Sequence, residues 1–228
     1  MNDKTLTLFI PNAGLGDHLF YSHIPRIAKE TGVYRRVLIS NESNFRNKAY
    51  KKLVWELNPY IDGFVDRPGK SAEGIFVPSD NYNILDNKML SFGLDDGKRM
   101  HDPELYYKPK IISGFESASV YDPNYITSAG FVSAFKVSGY FKKHVIIPDF
   151  QMRILGKRAV PILSFGAFLG AASIWDFVDI LSSVKEIYCL VTGTATLAAA
   201  IGKKAHVFYT PSQDPMFRHS SLHTYISL

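Results

Sequence analysis

Three short stretches combine small residues with polar groups where a backbone can come close to a ligand. The first is Asn12-Ala13-Gly14-Leu15-Gly16-Asp17. It joins an apolar strand pattern to a helical one, and in open α/β sheets ligands bind at the carboxyl ends of strands. Its glycines permit close approach, and the helix start offers unpaired N–H groups. The plain structural reading is a tight turn with Asp17 stabilising the helix start. The second stretch, Val191-Thr192-Gly193-Thr194-Ala195-Thr196, repeats the arrangement in the other half of the chain. Thr192 and Thr194 supply hydroxyls, Gly193 leaves room, and a helix start of this kind accepts phosphate. Read structurally, it is a Thr-capped buried helix. The third, Gly114-Phe115-Glu116-Ser117, is expected at the end of a strand, facing the second across one sheet edge.

Missing patterns narrow the chemistry. The first turn is not G-x-G-x-x-G, because Leu19 stands at its last position, and no Gly-Lys-Ser/Thr ending makes a P-loop. No D-x-D, no Cys/His zinc spacing, no H-E-x-x-H and no G-x-S-x-G occur. His101-Asp102 reads as a solvated turn, and His23 shares the core-facing side of the first helix with Phe20 and Ile27.

A net charge of +5 without a Lys/Arg block suits an anionic ligand or an acidic membrane surface. Basic residues are not clustered with aromatics, which argues against a nucleic-acid partner. The single cysteine, Cys189, lies in an apolar run and reads as a small core residue. With too short an apolar start for a signal peptide and no long apolar span, the expected location is cytoplasmic.

The elements that must position these turns alternate. Strands are expected at Thr5–Ile10, Tyr34–Ser40, about Ile61–Val65, Lys110–Phe115, Pro161–Phe165, Glu186–Val191 and Ala205–Tyr209. Helices follow several of them. One runs through Phe20, Ile24, Ile27 and Ala28 with Pro25 kinking it, and one through Phe45, Ala49, Leu53 and Leu57. A third spans about Ile84–Phe92, a fourth starts at a Ser173-x-x-Asp176 cap, and an Ala-rich one stops at Gly202. Alternation of this kind makes βαβ units and parallel sheets. Residues 67–110 are turn-rich, and a boundary near Lys108 divides 1–108 from 109–228.

Three stretches then carry a family resemblance: Gly14–Glu30, Thr192–Thr210 and Pro211-Ser212-Gln213-Asp214-Pro215, with the segment from Ser91 to Pro109 between them. In this order the chain resembles the heptosyltransferase-like glycosyltransferases (family 9), which have the GT-B fold. The resemblance implies two Rossmann-like lobes with an inter-lobe cleft, the acceptor on the first and a nucleoside-diphosphate sugar on the second. It implies inverting, metal-independent transfer to a hydroxyl of a glycan, a lipid-linked glycan or a protein, without a cofactor; the expected cytoplasmic location includes the inner face of a membrane. Asp17 is then the candidate general base, with Asn12, Gly14, Gly16 and His18 lining the acceptor side. Gly114, Ser117, Thr192, Gly193, Thr194 and Ala195 would hold the donor, with Arg153, Lys157, Lys203 and Arg218 as candidate neutralising cations. Thr192 stands where the family has Ser, Val191 where it has Asp and Thr196 where it has His. The family's Lys after the strand at Ile111–Ser113 has no counterpart, and the chain reads as a shortened form. A nucleotide-sugar epimerase or hydrolase, or a binding protein without turnover, are the rival readings.

Overall fold

The computed structural model describes residues 4–72, 82–123, 132–142, 144–150 and 166–228. The chain forms two compact units, Met1–Tyr107 with Met216–Ser220, and Lys108–Pro215 with Ser221–Leu228. Residues Met216–Ser220, assigned above to the second lobe, thus belong to the first unit. The Asn83 side chain donates to the His219 carbonyl at 2.8 Å, and Ser220 Oγ donates to Asp102 at 2.6 Å.

In the first unit, β1 (Thr5–Leu8), β2 (Arg36–Ser40) and β3 (Gly63–Val65) make a parallel sheet in that order. The apolar residues of β1 and β2 are buried, as strands covered on both faces require. After β3 the chain crosses to the free side of β1, where Leu8 bridges Lys70 in parallel. Gly69 makes that crossing possible. A Cβ there would lie 2.8 Å from the Leu8 carbonyl carbon. The sheet direction therefore reverses at β1.

The expected kinked helix is two helices, α1 (Leu15–Leu19) and α2 (Ile24–Glu30). Pro25 lacks an N–H and its ring excludes a carbonyl one turn back, so the chain restarts with Pro25 in the first turn of α2. The second expected helix is a π-helical turn, Lys51–Glu56, closed by Leu57 N–H donating to Lys52 O. Next, α3 (Ile84–Ser91) begins at a capping box in which Asn83 and Asp86 exchange hydrogen bonds.

Among the described residues the second unit forms a six-stranded parallel sheet, order β6-β5-β4-β7-β8-β9. Its strands are β4 (Ser119–Asp122), β5 (Val145–Pro148), β6 (Gly166–Leu169), β7 (Glu186–Leu190), β8 (Ala205–Tyr209) and β9 (Thr224–Ser227). Helices α4 (Ala134–Ser138), α5 (Ile174–Ser183) and α6 (Gly193–Ala200) connect them. Strands β4 to β6 run outward one way and β7 to β9 the other, so β4 and β7 flank a switch point. Tyr121, Val145, Ile147, Tyr188, Leu190 and Phe208 fill the core on this sheet. The Ser173/Asp176 cap opens α5 as expected.

One strand is corrected. Residues Lys110–Phe115 do not join the sheet; β4 begins four residues beyond them, at Ser119. The backbone N–H groups of Lys110 and Ile112 donate instead to Asp179 and Ser183 on α5, at 2.9 and 2.8 Å, and Ile111 is 66% exposed. The expected strand Pro161–Phe165 lies outside the described residues. Among the described residues no helix is long and apolar enough to cross a membrane.

Candidate active site

In the first unit the candidate site is the loop leaving the carboxyl end of β1, where the sheet reverses. Gly14 caps α1 in extended conformation, and its N–H donates to Asp17 Oδ2 at 3.1 Å. A Cβ here would sit 2.7 Å from that oxygen, so a side chain at this cap would displace the Asp17 carboxylate. Asp17 is half-buried and Asn12 is exposed, whereas Gly16 is buried. Burial pushes the Asp17 carboxyl above its ordinary value, only partly offset by the Gly14 N–H and by the charges of Lys88 and Arg46. A helix start lowers a carboxylate pKa and desolvation raises it; here desolvation wins.

The loop is braced from behind. Ile10 N–H donates to Ser43 Oγ, Asn44 N–H to Ile10 O, and Arg46 N–H to Ala13 O, at 3.1, 3.0 and 2.9 Å. His18 belongs to this brace and does not line an acceptor site. It is 0% exposed, donates from Nε2 to Asn44 O at 2.7 Å and accepts the Trp55 indole N–H on Nδ1 at 3.0 Å. Its ring stacks on Phe45 at 4.4 Å. Burial holds it neutral, with its pKa pushed down to about 4. His23 is also fully buried, as expected, and is held neutral by burial and by neighbouring His101. Lys88 lies over the Tyr21 ring, 4.4 Å from its centre, and its Nζ is 3.3 Å from Tyr21 Oη.

In the second unit, the turn Thr192–Ala195 leaves β7 at the carboxyl edge, at the switch point beside β4. Thr192 caps α6, its Oγ1 accepting Thr194 N–H at 3.3 Å. The Thr194 hydroxyl donates to Asp122 Oδ2, at the end of β4. Ala195 N–H donates to Thr192 O at 3.0 Å. Both hydroxyls are therefore engaged within the chain, and Gly193 is the partly exposed residue of the turn.

Gly114 and Ser117 are not brought to this edge. They precede β4, and β4 runs parallel to β7 with Ser119 beside Glu186 and Asp122 beside Cys189. They therefore sit where the strands begin, at the opposite edge from Thr192. Gly114 instead closes a local turn, its N–H donating to Glu116 at 2.9 Å. Lys203 follows the far end of α6 and donates to Val184 O, so it too lies away from the Thr192 turn. Arg218 belongs to the first unit, and Arg153 and Lys157 lie outside the described residues. The residues missed from sequence are Asp122, Arg46 and Lys88. An aspartate closing an apolar strand was the available signal for Asp122, hidden by the misplaced strand before it. No group of three His, Cys, Asp or Glu that could hold a metal ion occurs among the described residues.

No family model and no curated protein matches the sequence. Solved structures do match. The glycosyl transferase family 9 protein of Veillonella parvula is 10% identical with a TM-score of 0.64, over 100% of this chain and 86% of that one. The ADP-heptose lipopolysaccharide heptosyltransferase II of E. coli is 11% identical with a TM-score of 0.64, over 98% and 90%. The dodecameric iron-containing heptosyltransferase TibC, solved with ADP-heptose, is 13% identical with a TM-score of 0.67, over 99% of this chain and 63% of that one. At such identities the likeness is one of fold: the chain has the α/β, parallel-sheet fold of these glycosyltransferase structures.

Proposed function

We propose that the protein is a glycosyltransferase that moves a sugar from a nucleoside-diphosphate sugar to a hydroxyl of a glycan, lipid-linked glycan or protein. The observation that carries the reading is Asp17: a half-buried carboxylate at the carboxyl edge of β1, its pKa raised by burial from its ordinary value and flanked by Arg46 and Lys88. A base that takes a proton in the transition state works best with its pKa brought toward the working pH. The shared fold supports the reaction class, and structures with that fold were solved with ADP or ADP-heptose.

The first unit serves the acceptor and the second the donor. Asp17 Oδ2 receives the Gly14 N–H, so Oδ1 takes the acceptor proton. The acceptor oxygen then bonds to the anomeric carbon as the carbon–oxygen bond to the diphosphate breaks. That electron pair leaves on the diphosphate, and a single displacement inverts the anomeric centre. The leaving diphosphate meets the amide of Gly193 and the positive end of the α6 dipole. In this scheme the chain's own donors meet the charge, without a metal ion.

Product analysis with a labelled nucleotide sugar and a hydroxyl-acceptor panel tests the proposal. The expected product is a glycosylated acceptor of inverted configuration plus nucleoside diphosphate. Free sugar alone would indicate a hydrolase, an altered nucleotide sugar an epimerase, and binding without turnover a receptor.

A further inference from the structure

The loop after β8 holds a polar group that the proposed reaction leaves unused. Gln213 is 4% exposed, and neither its amide oxygen nor its amide nitrogen has a hydrogen-bond partner among the described residues. The loop does not need that amide to hold its shape. Gln213 N–H donates to Thr210 O at 3.0 Å, and the Thr210 and Ser212 hydroxyls lie 2.9 Å apart. Burying an amide unpaired is costly, and folded proteins keep few such groups.

Its position suggests what the cost is for. Strands β7 and β8 run parallel with Leu190 beside Phe208, and Val191 N–H extends the pairing by donating to Phe208 O. The loop carrying Gln213 thus leaves the same carboxyl edge as the Thr192–Ala195 turn, one strand over, a spacing of roughly 5 Å. A carboxamide presents an acceptor and donors side by side. It matches a ligand edge with an adjacent donor and acceptor: a nucleobase edge, or neighbouring hydroxyls of a ribose or transferred sugar.

We propose that Gln213 is a ligand-binding residue whose side-chain amide forms paired hydrogen bonds with an adjacent donor and acceptor on the nucleotide sugar. The inference rests on the nucleotide-sugar reading above. It makes the unliganded protein carry an unpaired amide that the ligand satisfies.

The test compares the full chain with Gln213→Met by calorimetry, alone and with pyrophosphate, the common nucleoside diphosphates and their sugars. Without ligand, Gln213→Met should melt at or above the wild-type temperature, since it removes a buried unpaired group. Pyrophosphate binding should be unchanged, while affinity for the cognate nucleotide falls about 10-fold or more. A loss already present with the nucleoside diphosphate assigns the amide to the nucleoside. Loss confined to the nucleotide sugar assigns it to the sugar. Equal affinities throughout, or a variant that melts several degrees lower without ligand, overturn the role of Gln213 alone. A wild-type protein that binds no nucleotide overturns the donor reading and this inference together.

Discussion

At the scale of the residue, the Asp17 carboxylate is set by a neighbour with no side chain. Gly14→Ala would place a methyl 2.7 Å from Asp17 Oδ2 and turn the carboxylate away. The Gly14 backbone itself is extended and unstrained. Turnover should therefore fall at least ~10-fold while stability drops only by the ~1 kcal/mol of one cap hydrogen bond. Steady-state kinetics and urea unfolding measure the two. His18 predicts the opposite pattern, with stability changed first. It is neutral in the fold with a pKa near 4 against an ordinary 6.5. The unfolded chain therefore takes up a proton as pH falls from about 6.5 toward 4, and stability declines over that window. His18→Gln should lower stability at neutral pH by roughly 1–3 kcal/mol through its lost hydrogen bonds, yet flatten that acid decline. Melting temperature against pH reads both.

At the scale of the element, much was legible in the sequence because burial patterns are local. The apolar-rich stretches of β1, β2, β7 and β8, the Ser173/Asp176 cap of α5 and the Thr192 start of α6 each announce themselves. What was illegible depended on partners distant in sequence. The run Lys110–Phe115 has strand composition, but Asp179 and Ser183 on α5 take its N–H groups. That misplacement carried Gly114 and Ser117 to the wrong edge of the sheet and concealed Asp122. His18 could not be assigned either, since Trp55 and Asn44, which claim its nitrogens, lie 37 and 26 residues away. The bond between Thr194 and Asp122 ties α6 to the end of β4. Thr194→Val should cost about 1–3 kcal/mol in equilibrium unfolding and weaken binding of pyrophosphate at the adjacent turn.

At the scale of the whole molecule, the returning segment Met216–Ser220 is held in the first unit by buried polar groups. Asn83 donates to both His101 O and His219 O, at 2.7 and 2.8 Å. Asp86 accepts from His101 Nδ1 at 2.6 Å and from the backbone N–H groups of Asn83, Met100 and His101. Hydrogen bonding to Asp86, joined by Asp96, holds His101 above its ordinary pKa against the pull of burial. A histidine raised in the fold contributes stability that is complete below about 6.5 and lost as pH rises through its folded value. His101→Gln should abolish that alkaline decline, again read from melting temperature against pH. The account as a whole turns on Asp17 as a base that is not needed for donor binding. Its most direct test is Asp17→Asn, assayed for turnover and for nucleotide affinity on one preparation. The account predicts turnover reduced by about 10²- to 10⁴-fold with nucleotide affinity unchanged. Near-normal turnover in Asp17→Asn would contradict it.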